Sequence, residues 1–169
     1  MKLTRARDGL RGILELVVLL LMASLLVVVV VGVGFRKAGA SLVWYDEVAS
    51  ILLAWVTYYG AALAALDRAH IGMPTLVDRL TGARRTVIVL VGEACVLSFF
   101  GALTWAGVRV LSVLGGMTLV SLPSVPMALA QSVIPVGAVL FIVAQLLSLP
   151  DVLGGRPPDR ADVSREGAP

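Results

Sequence analysis

The strongest constraint on this chain is the grouping of its apolar residues into four runs of about 20, separated by short polar or turn-rich connections. At 1.5 Å per residue, one such helical run crosses the roughly 30 Å hydrocarbon core of a bilayer, where a helix satisfies its own backbone. The runs cover about 13–35, 46–66, 86–111 and 127–149. They predict an all-α integral membrane protein with four transmembrane helices. Composition agrees, because 59% hydrophobic residues, 15% charged residues and a mean hydropathy of +0.96 exclude an ordinary soluble domain. A chain of 169 residues then has room for one compact membrane domain, 13–149, and no second one.

A basic leader, 1–12, carries Lys2, Arg5, Arg7 and Arg11 ahead of the first run. A secretory signal has the same charge, but its apolar core is only about 7–15 residues long. The run from Ile13 to Phe35 is longer, and the small residues Ala38-Gly39-Ala40 lie beyond Arg36-Lys37, so the reading is an uncleaved helix. The second run follows Trp44, Tyr45, Asp46 and Glu47. Within it, Gly60 and Ala64 share a face on which helix backbones can approach closely. Between the second and third runs, Met73, Leu76, Val77 and Leu80 recur at helical spacing opposite Thr75, Asp78 and Arg79. That pattern predicts a short amphipathic cytoplasmic helix with Pro74 in its first turn, or else an irregular loop.

The connection Ser112–Pro126 has no charge and contains Gly115-Gly116, Pro123 and Pro126, which predicts a turn at the membrane surface or one dipping into it. Pro135 removes a helical hydrogen bond and predicts a kink in the fourth span. After Pro150 the Gly-, Pro- and charge-rich tail, 150–169, cannot bury enough apolar surface to fold alone and is expected to be disordered.

Charge sets the expected orientation. Lys2, Arg5, Arg7, Arg11, Arg68, Arg79, Arg84, Arg85, Arg156, Arg160 and Arg165 fall on one side of the spans, whereas Arg36, Lys37 and Arg109 fall on the other. The positive-inside rule then places both termini and His70 in the cytoplasm. Trp44 and Tyr45 go to the opposite headgroup region, which aromatic side chains favour. The basic residues are scattered over short flanks and the net charge is only +3, which disfavours nucleic acid as a partner.

No catalytic constellation is legible. His70 is the sole histidine and has no second ligand at metal spacing, no G-x-S-x-G occurs, and Gly82-Ala83-Arg84-Arg85-Thr86 lacks the spacing of a phosphate loop. The single cysteine, Cys95, is expected to be packed inside the protein. Glu93 is the informative charge, since a carboxylate within a span needs a partner. Gln131, Gln145 or a cation on another subunit could supply one, and snorkelling beside Arg85 is the alternative. Asp46 and Glu47 either cap the second helix or contact another subunit.

Several of these features together resemble the DctQ-like small membrane subunit of tripartite ATP-independent periplasmic (TRAP) transporters. They are Arg36-Lys37 after the first helix, Trp44-Tyr45-Asp46-Glu47 before the second, Trp55 and Gly60-Ala61-Ala62 within it, and Arg68-Ala69-His70-Ile71 after it. Leu122-Pro123, Pro126-Met127 and Ile134-Pro135-Val136-Gly137 mark a similar entry into the last helix. The resemblance covers roughly Leu10 to Leu149 and implies a bacterial or archaeal inner-membrane subunit that scaffolds a larger polytopic membrane subunit. It further implies that a periplasmic binding protein delivers an organic acid or related solute. Sodium coupling would belong to the large subunit, and this chain would hold no cofactor and be no enzyme. By the same resemblance Trp44, Glu47, Trp55, Gly60, His70 and Pro135 are structural or interface positions, to which Glu93 is added from its place in the span. The alternative function is a self-associating channel or structural assembly that pairs through the small-residue faces at Gly60 and Gly101.

Overall fold

The computed structural model describes residues 2–67 and 83–153. Five helices occur among them: α1 (Lys2–Lys37), α2 (Tyr45–Leu66), α3 (Ala83–Val113), α4 (Met127–Gln131) and α5 (Val133–Leu153). Four stretches are long and apolar enough to cross a membrane: Arg7–Lys37, Tyr45–Leu66, Thr86–Val113 and Met127–Leu149. The expected amphipathic helix, His70 and residues 154–169 lie outside the described residues, whereas the first four residues of the expected disordered tail, 150–153, continue α5. The basic leader forms the first turns of α1, continuous with the span.

The boundaries follow local chemistry. α1 ends with Arg36 and Lys37, whose charges suit the negative end of the helix dipole. Gly39, at φ +79°, then reverses the chain. The Gly39 N–H donates to the Arg36 carbonyl at 3.3 Å, and the Ala40 N–H donates to the Phe35 carbonyl at 3.0 Å. That pair is a Schellman cap, which needs a residue comfortable at positive φ. α2 begins with Asp46 and Glu47 in its first turn, the end of a helix that favours carboxylates.

The spans form an open row, in the order α1, α2, α5, α3, rather than the compact bundle expected from length. α2 packs on α1 and α5, and α5 packs on α3, whereas α1 meets α5 only slightly. α1 and α2 run antiparallel, with Arg7 near Leu66 at one end and Gly32 against Tyr45 at the other. α5 runs parallel to α2 and antiparallel to α3. The fourth span is the enclosed one, with 39% of its most apolar stretch buried against 0% in the third. Leu14, Ala62, Ala65, Leu66, Phe141 and Ala144 form the core along this row, and Phe100 stacks on Phe141 with ring centroids 3.7 Å apart. A row suits a bilayer because lipid covers outward-facing Leu, Val and Ile without the penalty water would impose.

Two sequence expectations change here. Cys95 is exposed, because α3 is an edge helix and only its stripe through Glu93, Val96, Phe100, Thr104 and Gly107 turns toward α5. The kink expected near Pro135 is an interruption of the helix at Ser132, which separates α4 from α5. Pro135 has no N–H for the Gln131 carbonyl four residues back, and it sits in the first turn of α5, where that loss is tolerated.

Candidate functional site

Four polar junctions and three close glycine contacts fix how the row is assembled. At the end where α1 begins, the Arg7 guanidinium donates to the Leu66 carbonyl at 2.7 Å, one of the carbonyls left over at the C-terminus of α2. Arg11 bridges Glu15 at 3.0 Å and Asp67 at 3.2 Å. The buried Ser148 hydroxyl on α5, 3.0 Å from the Ala144 carbonyl of its own helix, also lies 3.3 Å from the Ala65 carbonyl and 3.2 Å from the Leu66 carbonyl. α1 thus caps the end of α2, and α5 brings a polar side chain against it.

Deeper in the row, the Gln145 amide on α5 donates to the Glu93 carboxylate on α3 at 2.7 Å. This resolves the choice of partner within the chain. Gln131 is 14 residues up the same span, roughly 21 Å away along a helix, and cannot reach. The pair locks the register of α3 against α5 one stretch below the Phe100–Phe141 stack.

The indole N–H of Trp55 donates to the Ala130 carbonyl at 3.2 Å, next to the interruption at Ser132, while its ring lies 6.1 Å from that of Tyr59. Trp55 therefore supplies a donor where the last span is broken, and a carbonyl inside a membrane needs one. Pro135 is buried against Gly107, where an added Cβ would come within 2.9 Å of the proline Cδ. Gly137 packs equally tightly on Tyr58, and Gly32 on the ring of Tyr45. The close helix approaches thus fall at Gly32, Gly107 and Gly137. Gly60 and Gly101 have no atom within 4 Å of an added Cβ.

At the opposite end, Trp44 is half-buried at the N-cap of α2, where its carbonyl accepts from the Val48 N–H at 3.1 Å. Glu47 reaches across the molecule. Its carboxylate accepts the backbone N–H of Ser121 at 2.8 Å and of Val120 at 3.2 Å. It therefore clasps the α3–α4 connection, a role the sequence reading did not include. That connection is a small hairpin rather than a loose loop. Gly116, at φ +90°, closes the turn in which the Met117 N–H donates to the Leu114 carbonyl. The Leu119 and Met127 N–H groups then donate to Val125 and Met117, and Leu119 is buried beneath. Of the sequence-predicted positions, Trp44, Glu47, Trp55, Glu93 and Pro135 engage this framework, Gly60 stands open, and His70 is outside the described residues. The sequence reading missed Arg7, Arg11, Ser148 and the three packed glycines.

The class these features define is a multi-pass helical membrane protein whose polar side chains set helix register. Residues 25–153 match the family model of the tripartite ATP-independent periplasmic transporters, DctQ component, and the chain belongs to that family. It is similar to the C4-dicarboxylate TRAP transporter small permease protein DctQ of Rhodobacter capsulatus, at 30% identity over 103 residues. That alignment covers 60% of this chain and 45% of the relative. The isethionate TRAP transporter permease protein DctMQ of Oleidesulfovibrio alaskensis is 24% identical over 75 residues, covering 44% of this chain and 12% of the relative. The chain thus matches less than half the length of either curated relative.

Proposed function

We propose that this chain is the small membrane subunit of a TRAP-type secondary transporter and scaffolds a larger membrane subunit during ion-coupled uptake. The observation that carries the reading, given the family, is the open row. α3 touches the rest of the chain along one stripe, and Gly60 on α2 presents a face with room for another backbone. A rigid plate braced by Glu93–Gln145, Trp55–Ala130 and Glu47–Ser121 is suited to holding a moving partner at constant depth. The Oleidesulfovibrio alaskensis relative, of which the matched stretch is a small part, supports a unit of this kind working beside a larger membrane body. By the positive-inside distribution, both termini lie in the cytoplasm and the Glu47 end faces the periplasm of a bacterial or archaeal cell. The sodium coupling and the solute site belong to the large subunit, and a periplasmic binding protein delivers an organic acid or related solute.

Affinity purification from the native membrane in mild detergent, followed by mass spectrometry and a measurement of stoichiometry, tests this. The expected product is one copy of the chain with one larger polytopic protein. Recovery of a symmetric oligomer of this chain alone would replace the proposal with the self-associating assembly.

A further inference from the structure

The α3–α4 hairpin carries apolar side chains where an aqueous loop would carry charge. Val120 is 88% exposed, Val113 73% and Met117 52%, and Val43 in the α1–α2 connection is 81% exposed. No charged residue occurs from Val110 to Pro150.

The height of this patch follows from its contacts. Glu47 lies in the first turn of α2, three residues from Trp44, and it holds the backbones of Val120 and Ser121 at that level. The Ser121 hydroxyl donates to the Val43 carbonyl at 3.3 Å, which brings the two connections side by side. On α3, the Arg109 guanidinium sits 5.3 Å from the ring centroid of exposed Trp105, a pairing of side chains that both favour the headgroup region. Val113 is four residues further on, about 6 Å along the helix axis, and the headgroup layer is itself roughly 5–7 Å deep on each side.

We propose that the hairpin is an interfacial lipid-binding element, with Val43, Val113, Met117 and Val120 seated within the headgroup layer. Glu47 is its positioning residue. The carboxylate draws the hairpin down onto the plane of the first turn of α2, so its apolar side chains continue the lipid-covered flanks of the spans. The element fixes how deep and how tilted the row sits, complementing the basic residues at the other end.

The test uses the full chain with Cys95→Ala and one new cysteine, Val120→Cys, labelled with a nitrobenzoxadiazole fluorophore and reconstituted into phosphatidylcholine vesicles. A label at Glu166→Cys in the charged tail serves as the aqueous reference. Quenching by iodide on both sides of the membrane should be roughly threefold weaker at position 120 than at 166. Quenching by lipids bearing a doxyl group near the top of the acyl chain should be roughly threefold stronger there. Adding Glu47→Gln should raise iodide quenching at 120 toward the reference value. Equal iodide quenching at 120 and 166 without lipid quenching would overturn the proposal and make the patch an aqueous docking surface for a soluble protein. Lipid quenching that Glu47→Gln leaves unchanged would overturn the positioning role of Glu47.

Discussion

Placing one methyl group at Gly137 should separate α5 from α2, and the same change at Gly60 should not. An alanine Cβ at 137 would lie 2.7 Å from Tyr58 Cβ, 3.0 Å from its Cδ1 and 3.1 Å from its Cγ. The nearest atom is fixed to the α2 backbone, so a new rotamer of Tyr58 cannot relieve it. The helices must part by about 0.7 Å to bring the 2.7 Å contact out to 3.4 Å, the near edge of ordinary van der Waals contact. Overpacking of this kind costs about 1–3 kcal/mol, offset by up to about 1 kcal/mol of better helix propensity for Ala over Gly. With that gain taken in full, the net expectation for Gly137→Ala is a loss of about 0–2 kcal/mol, which keeps it about 1–3 kcal/mol below Gly60→Ala. Gly60→Ala meets no atom within 4 Å and should be neutral or stabilising by up to about 1 kcal/mol. Unfolding from mild detergent by titration with sodium dodecyl sulfate, followed by tryptophan fluorescence, compares the two in one assay. Equal stability of the variants, or a Gly137→Ala protein more stable than Gly60→Ala, would refute the packing argument.

Glu93→Ala and Gln145→Ala should be strongly non-additive, and a double-mutant cycle in the same titration should return a coupling of about 1 kcal/mol. Additive losses would mean that the 2.7 Å contact does not operate in the membrane. Trp55→Phe keeps an aromatic ring but removes the N–H that meets the Ala130 carbonyl, and should cost about 1 kcal/mol. Trp55→His, whose ring also carries an N–H donor, should recover part of that loss, whereas recovery no better than Phe would assign the effect to ring size. Arg11→Gln should weaken the α1–α2 end only modestly, because the ion pairs with Glu15 and Asp67 are partly exposed. That effect should fade in high salt, and a salt-independent loss would point to packing instead.

The four spans were legible because a bilayer imposes one length and one polarity on everything that crosses it, and the runs from Ile13, Asp46, Thr86 and Met127 obey both. Lateral order was not legible. Lipid and a neighbouring helix are equally apolar, so hydrophobicity does not say which side of Leu16 or Val91 meets protein. The expectation of a buried Cys95 failed for that reason. Small residues carried the same ambiguity: Gly60, Gly107 and Gly137 look alike in sequence, and only a cross-helix neighbour such as Tyr58 or Pro135 distinguishes a packed glycine from an open one. Glu93 announced its need for a partner, and the sequence offered Gln131 and Gln145 alike; the antiparallel packing of α3 on α5 is what brings Gln145 to it. Glu47 did not announce its target, since the two N–H groups it holds belong to residues more than 70 positions away, in a connection with no charged residue to suggest one. The Schellman cap at Gly39 is readable from Arg36-Lys37-Ala38-Gly39, a stretch whose small residues also resemble a cleavage site.

If a larger membrane subunit completes the open row, filling the open face without disturbing the fold should displace it. Gly60→Leu adds a side chain where nothing in the chain lies within 4 Å of a Cβ. Its stability in isolation should fall no more than about 0.5 kcal/mol below that of the parent. Recovery of the large subunit by affinity purification from the native membrane should fall by roughly tenfold, the effect of losing about 1.4 kcal/mol at the interface. Undiminished recovery of that partner, or loss of a self-associated oligomer in its place, would contradict the account.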